Sequence, residues 1–402
     1  EEDMTPDEIA VRMDGKCTYK DGKRTAILPS PAVQNHAAFL ARGADGALVC
    51  AWFGGSLEGR SDINIYASVL SEESATWSPP SRLTDLSDRS EQNPVLFTAP
   101  SGEIFLFNTA QPAGNQDEAR VYMRKVDHVG DQVLPGPPRD IGLPPGTFIR
   151  APLQVRDDGA WMLPLFLCNP REGIRWTGAH DSAAIAVSRD EGASWSVTHV
   201  PESLGSVHMT PVELDDGRMV AFYRRRQADW VHRSESTDGG RTWSPPHPTD
   251  VPNNNSSIGV IRLGDGALAM VCNPVSADHT TSRRASLYDE LGDPDDGRQE
   301  AQDGCQPIWG VERAPLALCF SDDGGRSFPV RHVIESSPGT CLSNDSLDGR
   351  NKELSYPMLL QRPDGGLDIV YTLYRRAIRH VQLSAEDLAR MQRGANREGV
   401  RT

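Results

Sequence analysis

The sequence lacks an excess of basic residues and any long apolar run. Among its 402 residues, 41 lysines and arginines stand against 56 aspartates and glutamates, which gives a formal net charge of -15. Phosphate backbones and anionic lipid surfaces require a basic face, so neither a nucleic acid nor a membrane is expected as a partner. No apolar run reaches the roughly 18 residues that a membrane-spanning helix needs.

Cysteine is scarce, and its spacing excludes two common uses. The seven cysteines form no C-x-x-C pair and no spacing typical of a metal site. We expect them to be small buried side chains, and the alternative is a single disulfide that involves Cys305 or Cys341. The first residues, Glu-Glu-Asp-Met, show no signal peptide, but a mature secreted chain would look the same. We expect a secreted or periplasmic protein, with a cytoplasmic location as the alternative.

Turn residues are abundant, with 36 glycines and 30 prolines. Six Asp-Gly or Ser-Gly pairs each precede a short apolar run, which is typical of a β-hairpin. Steps of 56, 57, 58 and 49 residues separate the first five pairs, and a step of 99 precedes the sixth. This spacing predicts six copies of one antiparallel unit, with an excursion loop over 275–308 that accounts for the long step. The pairs begin at Asp45, Ser101, Asp158, Asp216, Asp265 and Asp364.

A second motif recurs late in several of these units. It reads SRDEGASWS at 188–196, STDGGRTWSPP at 236–246 and SDDGGRSFP at 321–329, with a degenerate copy, SEESATWSPP, at 71–80. In each clean copy the aspartate can close a turn on backbone N–H groups and the glycine can adopt a positive φ. The aromatic residue then begins a strand and packs inward. Short antiparallel strands in such units are typical of propeller blades.

The motif S-x-D-x-G-x-[ST]-[WF] resembles the Asp-box, or BNR repeat, of the sialidase superfamily. The resemblance covers residues 30–383 and implies an all-β fold, a six-bladed β-propeller of four-stranded antiparallel blades. We expect one propeller domain over 1–383, closed by a strand from 17–29 on the last blade, and a short exposed helix in the tail, 384–402. The expected blades are 30–84, 90–140, 147–200, 205–250, 255–334 and 353–383. Asp-boxes occur in enzymes, receptors and binding propellers, so the fold leaves the activity open.

The resemblance also implies site residues. Sialidases bind the substrate carboxylate with three arginines, and they use a tyrosine nucleophile paired with a glutamate and an aspartate as acid/base. By local context, Tyr356 stands in the tyrosine position, Arg224 and Arg313 in two arginine positions, and Asp62 in the aspartate position. Strand neighbours alternate in direction, so Arg226 is the rival of Arg224 on the same face. The structural alternatives are rim packing for the tyrosine, surface exposure for the arginines and an Asx turn for the aspartate.

Two positions differ from the sialidase pattern. His36, in QNHAAFL, stands where the first arginine belongs, and His208, in GSVHMTPVELDDG, stands where the glutamate belongs. A single histidine is more often structural than catalytic. Both of these histidines, however, lie in functional columns of the expected fold, and we predict that both take part in the site.

Arg60 and Glu58 lie near Asp62 in the sequence, and further polar residues stand where blades 2, 3 and 5 begin. We predict supporting substrate-binding roles for Arg60, Gln92, Asn93, Arg150 and Asn254. Side chains at the blade openings could bind sugar hydroxyls, and loop capping is an equal alternative. The chain also resembles a bacterial and fungal group labelled predicted neuraminidases in its NHAA, WFGG, QNPVLF and SYP segments, and that label itself comes from resemblance.

Two arginines beside a tyrosine and two histidines predict a pocket for the carboxylate of a sialic acid or a hexuronate. The first hypothesis is an exo-acting β-elimination lyase that cleaves next to a glucuronate, similar to rhamnosyl-glucuronate lyases, with His36, His208 and Tyr356 as acid and base. The second is a retaining sialidase-type hydrolase in which Tyr356 attacks and Asp62 is the acid/base. The third is a glycan-binding propeller without catalysis. None of the three requires a metal or organic cofactor. We expect an acidic oligosaccharide or glycan as the partner, and we expect the protein to be a monomer.

Overall fold

The computed structural model describes residues 3–20, 22–112, 116–287 and 297–394. Its strands form six small antiparallel sheets arranged as the blades of a β-propeller, which confirms the predicted fold. The first strands of blades 4, 5, 6, 1 and 2 contact one another in turn around the axis, and each blade is built outward from there by hairpins. Among these residues, no helix is long and apolar enough to cross a bilayer.

The first half of the chain forms three blades. It begins with helix α1 (Pro6–Arg12) and strands β1 (Thr18–Lys20) and β2 (Lys23–Ile27). Blade 1 contains β3 (Gln34–Arg42), β4 (Leu48–Gly55), β5 (Asn64–Leu70) and β6 (Ser81–Arg82). Blade 2 contains β7 (Ser90–Thr98), β8 (Ile104–Gln111), β9 (Arg120–Val129), β10 (Gln132–Pro135) and β11 (Arg139–Asp140), with a 3₁₀ turn at Gln116–Glu118. Blade 3 contains β12 (Thr147–Phe148), β13 (Gln154–Val155), β14 (Trp161–Leu167), then, beyond the short β15 (Ile174–Arg175), β16 (Ser182–Ser188) and β17 (Ser196–His199).

The second half forms three more. Blade 4 contains β18 (Ser206–Glu213), β19 (Met219–Arg225), β20 (Trp230–Ser236) and β21 (His247–Pro252). Blade 5 contains β22 (Gly259–Arg262), β23 (Leu268–Cys272), then, beyond β24 (Gln299–Glu300) of the insertion, β25 (Leu316–Ser321) and β26 (Val330–Glu335). Blade 6 contains β27 (Leu354–Gln361), β28 (Leu367–Leu373) and β29 (Ala377–Leu383), and helix α2 (Ala385–Gln392) follows.

The two ends of the chain meet in blade 6. Strand β2 pairs antiparallel with β29, with Thr25 opposite Val381, and β1 adds a fifth strand outside it. Helix α2 starts at the N-cap Ser384, whose hydroxyl accepts from a backbone N–H of the first turn. Ala385 and Glu386 of this helix are exposed, and Leu388 is buried in the cluster between blades 5 and 6.

The clean Asp-box motifs form the turns that their sequence predicts. In blade 3, the Ser194 N–H donates to Asp190 Oδ1 at 2.8 Å, and the Gly192 N–H donates to Ser188 Oγ at 2.7 Å. The boxes of blades 4 and 5 repeat these bonds around Asp238 and Asp323. Their aromatic residues, Trp243 and Phe328, are buried against the neighbouring sheet.

The inner strands of four blades carry a bulge at the same place. The pairing register shifts between the first and second strands of blades 1, 2, 4 and 6. One residue in each bulge has a left-handed backbone with φ between 50° and 58°, and these residues are Ala37, Asn93, His208 and Tyr356. A bulge re-aims side chains, so these positions present their neighbourhood to the axial end of the propeller.

The insertion in blade 5 returns across blade 3. Its strand β24 pairs in parallel with β15. An ion pair between Arg171 Nη1 and Asp303, at 2.8 Å, reinforces this contact, and a second one, between Arg298 Nη1 and Asp117 at 2.6 Å, joins the insertion to blade 2. The excursion predicted for 275–308 is therefore attached to another blade over the part that the structure describes.

All seven cysteines are free thiols, so the alternative of a disulfide at Cys305 or Cys341 is not realised. Five are buried, and Cys17 and Cys305 are half-buried. They act as small apolar side chains within and between the blades.

Two glycines test how the blades interlock. Gly325 (φ +83°) and Gly217 (φ +81°) share a backbone conformation, but an added Cβ at Gly325 would lie 2.2 Å from Phe222, and one at Gly217 would meet open space. Gly217→Ala should cost about 1 to 2 kcal/mol of unfolding free energy from backbone strain alone. Gly325→Ala should cost about 1 to 3 kcal/mol more, because it overpacks the junction of blades 4 and 5. Chemical denaturation measures both, and equal losses would contradict this account of the junction.

Candidate functional site

Tyr356 lies at the centre of the candidate site. It occupies the left-handed position of the β27 bulge and is half-buried. Arg224 donates a hydrogen bond from Nη1 to the Tyr356 hydroxyl at 2.7 Å. The guanidinium carbons of Arg150, Arg224 and Arg313 lie 5.2, 5.7 and 5.8 Å from the centroid of the tyrosine ring. Blades 3, 4 and 5 therefore each place one positive charge beside the tyrosine of blade 6.

These charges make the phenol more acidic than an ordinary tyrosine. Burial by itself raises the pKa of Tyr356, but the positive charges of Arg224 and Arg313 outweigh burial and lower the pKa below its usual range. Within the described residues, no carboxylate hydrogen-bonds to this hydroxyl. The phenolate is thus stabilised by arginine and has no carboxylate partner.

Two imidazole rings flank the tyrosine. The ring centroids of His36 and His208 lie 4.1 and 5.6 Å from that of Tyr356. Burial lowers the pKa of both histidines well below the usual range, and the charge of Arg375 adds to this effect on His36 as that of Arg224 does on His208. Both imidazoles are therefore neutral near pH 7.

The hydrogen bonds of Ser257 indicate which nitrogen of His208 carries the proton. Ser257 Oγ accepts from Arg150 Nε at 3.1 Å and lies 3.1 Å from His208 Nδ1. His208 Nδ1 is the one acceptor that the described residues offer to the buried hydroxyl proton. Leaving that proton unbonded would cost about 1 to 3 kcal/mol. Ser257 therefore donates to Nδ1, and the proton of His208 resides on Nε2.

His36 is held in the same way. Its Nδ1 lies 2.7 Å from the hydroxyl of Thr372, which has no other partner among the described residues. Donation from Thr372 places the proton of His36 on Nε2. That atom is buried and has no hydrogen-bond partner in the described part of the chain. Each of the two neutral imidazoles beside the phenol thus carries its proton on Nε2.

A buried chain of charges links the site to blade 1. Glu353 accepts from Arg313 Nη1 at 3.0 Å and from Arg375 Nε at 2.8 Å, and Arg375 Nη1 lies 2.5 Å from a Glu58 carboxylate oxygen. Burial raises the pKa of Glu353, but the two arginines outweigh burial and hold the pKa well below its usual range. Sequence reasoning missed Glu353 and Arg375 because no local motif marks them. Their only signal is a charged residue beside a blade opening and another in the turn between β28 and β29.

The three consecutive arginines at the end of β19 have different roles. Arg224 Nε and Arg226 Nη1 both donate to Asn255 Oδ1, at 2.9 and 3.2 Å, so the two share one face. Arg226 is held by the buried carboxylate of Asp181 at 2.8 Å and by three aromatic rings. Arg225 forms its side-chain contacts elsewhere. Arg224, rather than its rival, reaches the tyrosine.

Arg150 is committed to the scaffold. Its Nη1 donates to the Ala38 carbonyl at 2.9 Å, its Nη2 to the Tyr356 and Pro357 carbonyls at 2.9 and 3.3 Å, and its Nε to Ser257. Burial lowers the pKa of Arg150 to about 10. Arg150, which we predicted to bind substrate, therefore uses its N–H groups to hold the protein backbone and Ser257 in place.

The loop between β4 and β5 brings Glu58 into the charge network and leaves Asp62 outside it. Asp62 is exposed and accepts from the Ser56 N–H and hydroxyl at 3.2 and 3.0 Å, which is the Asx-turn alternative. Arg60 is exposed as well. Glu58 of the same loop is buried against Arg375.

The amide candidates are held by their own blades. Gln92 donates to a neighbouring serine hydroxyl at 2.9 Å, and Asn93 donates to Thr109 at 3.3 Å. Asn254 donates to the Glu312 carbonyl at 3.0 Å, while its Oδ1 has no partner among the described residues. Contacts within blade 2 therefore account for Gln92 and Asn93, and the unpartnered Oδ1 of Asn254 is buried.

The architecture and the axial side chains define a six-bladed propeller with an arginine-lined tyrosine site. Residues 46–369 match the BNR repeat-like domain family, and the chain belongs to that family. A comparison with curated proteins finds none that matches the sequence.

Several solved structures share the fold. The Hadza microbial sialidase Hz136 has a TM-score of 0.65 and 14% identity, over 88% of this chain and 66% of that one. A protein of unknown function from Dyadobacter fermentans has a TM-score of 0.63 and 14% identity, over 90% and 99%. For Trypanosoma rangeli sialidase the values are 0.60 and 12%, over 94% and 59%. The chain thus spans two thirds or less of the length of these two sialidases, and at such identity the likeness shows the fold alone.

The lowered pKa of Tyr356 can be measured directly. The ultraviolet absorbance of phenolate, recorded against pH and taken as the difference between wild type and Tyr356→Phe, isolates this residue from the other tyrosines. Wild type should ionise below the usual tyrosine range, and Arg224→Met should raise the pKa by one unit or more, because it removes the positive charge that is hydrogen-bonded to the hydroxyl. Arg60→Met, which changes an exposed arginine, should leave the pKa unchanged. A wild-type pKa at or above about 10 would contradict the electrostatic account.

Proposed function

We propose that the protein is a carbohydrate-active enzyme that cleaves the glycosidic bond at an acidic sugar, by β-elimination next to a glucuronate. One observation carries the proposal: a phenol with a lowered pKa lies between two neutral imidazoles and beside arginines. Elimination requires a base, an acid and positive charge for the carboxylate. It requires neither a nucleophile nor a catalytic carboxylate.

Two arginines have hydrogen-bond donors to spare for the substrate. Arg224 uses Nε and Nη1 within the protein, and Arg313 uses Nη1. The remaining N–H groups of both side chains have no acceptor among the described residues. A substrate carboxylate bound there is neutralised, and this makes the adjacent C5–H of a uronate more acidic.

The proposed step balances with the groups at hand. The Tyr356 phenolate takes the proton from C5, the electron pair left on C5 forms a double bond to C4, and the C4–O bond breaks. The leaving oxygen takes the Nε2 proton of His208, because Nε2 of His36 is buried. The products are an unsaturated uronate and a new hydroxyl end, and the proton on the phenol returns to the imidazole through solvent.

A retaining hydrolase is the second candidate, because a phenol with a lowered pKa also serves as a nucleophile. In that scheme Tyr356 attacks the anomeric carbon and a carboxylic acid protonates the leaving oxygen. The likeness to solved sialidases favours it. Against it, Asp62 is bound to Ser56 and Glu58 is paired with Arg375, so neither carboxylic acid is free beside the phenol.

The expected setting of the enzyme follows from its substrate. A polymeric glycan does not enter a cell, so a secreted or periplasmic location is part of this proposal. An acidic oligosaccharide is the partner we propose, for a protein that acts as a monomer.

The reaction is tested on rhamnosyl-glucuronate glycans and on sialyl-lactose. Wild type should generate the ultraviolet absorbance of a conjugated double bond on the uronate, with new reducing ends and no release of sialic acid. Tyr356→Phe should abolish this absorbance because it removes the base. His208→Ala should lower it roughly 100-fold, as loss of a general acid does. Asp62→Asn is the matched control and should retain wild-type activity.

The alternatives give different results. Sialic acid release that Asp62→Asn abolishes, without the new absorbance, would replace the lyase with the hydrolase. Binding of both glycans without any product would leave a binding propeller.

The neighbouring serines test the role of Ser257. Ser257→Ala should lower kcat roughly 10- to 100-fold with little change in KM, because His208 loses the bond that places its proton on Nε2. Ser257→Thr keeps the hydroxyl and should restore most of the activity. Ser256→Ala is the control, since Ser256 is equally buried and its hydroxyl has no partner among the described residues. Equal losses in both alanine variants would reduce Ser257 to a packing residue.

A further inference from the structure

The insertion of blade 5 meets the candidate site at a single peptide group. The Ile308 N–H donates to the Arg226 carbonyl, just after β19, at 2.8 Å. The Ile308 carbonyl accepts from Asn255 Nδ2 at 3.0 Å. Asn255 is buried and stands where blade 5 begins, shortly before β22. One residue of the insertion therefore holds the end of a strand of blade 4 and a side chain of blade 5.

The hydrogen bonds of Asn255 determine which way its amide points. Oδ1 accepts from Arg224 Nε at 2.9 Å and from Arg226 Nη1 at 3.2 Å, whereas Nδ2 faces the Ile308 carbonyl. A flipped amide would place N–H groups against two guanidinium groups and its oxygen against a carbonyl oxygen. The oxygen of Asn255 is therefore the atom that faces the arginines.

The backbone of Asn255 is fixed as well. It has a left-handed conformation with φ of 54°, which asparagine adopts more readily than most residues. Its N–H donates to Asn253 Oδ1 at 3.1 Å, and the same oxygen accepts from the Arg225 N–H at 2.9 Å. The side chain of Asn255 thus starts from a set position relative to β19.

Asn255 and Tyr356 together fix the orientation of Arg224. The guanidinium group is planar, and its Nε is bound by Asn255 and its Nη1 by the Tyr356 hydroxyl. Nη2 has no acceptor among the described residues and stays available to a carboxylate. Without the amide, one of the two bonds that orient the plane would be lost, and Nη2 would no longer point in one direction.

The neutral charge of this acceptor distinguishes Arg224 from the arginines beside it. Arg226 is paired with the buried carboxylate of Asp181 at 2.8 Å, and Arg313 with that of Glu353 at 3.0 Å. Arg224 is bound by an amide oxygen instead. A carboxylate in place of the amide would offset the charge of Arg224, which acts on the phenol and on any bound anion.

We propose that Asn255 is a positioning residue, which directs Arg224 toward Tyr356 and the substrate carboxylate and leaves the charge of Arg224 uncompensated. Through the Ile308 carbonyl, the insertion of blade 5 takes part in this arrangement. The effect on Tyr356 rests on the contacts of the site alone, and the effect on a substrate carboxylate rests on the proposed function.

Two substitutions separate orientation from charge. Asn255→Asp keeps an oxygen for both arginines but adds a negative charge, so it should raise the pKa of Tyr356 by about one unit. Asn255→Gly suits the left-handed backbone and removes the amide. It should raise KM for the rhamnosyl-glucuronate glycan roughly tenfold with little change in kcat, because Arg224 loses its orientation. It should raise the pKa of Tyr356 less than Asn255→Asp does, because the charge of Arg224 remains.

Asn169→Gly is the matched control. Asn169 has the same left-handed backbone, with φ of 48°, and its amide donates to the Leu167 and His180 carbonyls at 3.3 and 2.9 Å. Because this amide binds no arginine, its loss should leave KM and the pKa of Tyr356 unchanged.

The pKa is measured as the absorbance difference against Tyr356→Phe, so it does not depend on turnover. An unchanged pKa of Tyr356 in Asn255→Asp together with an unchanged KM in Asn255→Gly would overturn the proposal. If Asn255→Asp does not fold, an unchanged pKa and KM in Asn255→Gly would be enough to overturn it, and so would equal changes in Asn169→Gly. A wild type that turns over no glycan would overturn the proposed function, and the pKa of Tyr356 would still decide the role of Asn255.

Discussion

The hydrogen bonds of Arg150 at the axis are the contact on which the rest of the site depends. This one side chain of blade 3 reaches the backbone of blades 1 and 6 and a hydroxyl of blade 5. It is buried without a carboxylate partner, so neutral oxygens alone balance the cost of removing its charge from water. This balance is possible only where the backbone carbonyls of neighbouring inner strands lie close together. The same hydrogen bonds therefore fix the approach of the blades, the backbone position of Tyr356 and the orientation of Ser257.

Charge is distributed unevenly in this molecule. The chain is strongly acidic, yet the axial end concentrates arginines around one phenol. Glu353 and Asp181 hold two of the surrounding arginines, and Arg224 is left with only neutral partners. The carboxylates keep the cluster stable, and Arg224 together with Arg313 provides the field that acts on Tyr356. A site that is positive inside an acidic protein attracts acidic ligands to one place on its surface.

The sequence could reveal the features that short motifs determine. Turn pairs and Asp-boxes recur along the chain, so they predict the blades, the hairpins and the closing geometry of the fold. The resemblance of short segments to the sialidase pattern also singled out His36, His208, Arg224 and Tyr356, which the structure brings into one cluster. Glu353, Arg375 and Ser257 escaped because their roles depend on partners in other blades, as in the contact of Arg375 with Glu58. The orientation of the β4–β5 loop was equally invisible, since nothing in GGSLEGRSD determines which acid faces inward.

The left-handed bulge residues give the scaffold a particular evolutionary freedom. Each inner strand that carries a bulge holds one residue in the left-handed conformation, which costs about 1 to 3 kcal/mol for a residue other than glycine. Alanine, asparagine, histidine and tyrosine occupy the equivalent bulge position in four different blades. A single substitution at such a position exchanges one functional group for another and leaves the hydrogen-bonded ladder unchanged. The bulge is thus a position where one substitution can change the chemistry of this fold while the ring of blades stays the same.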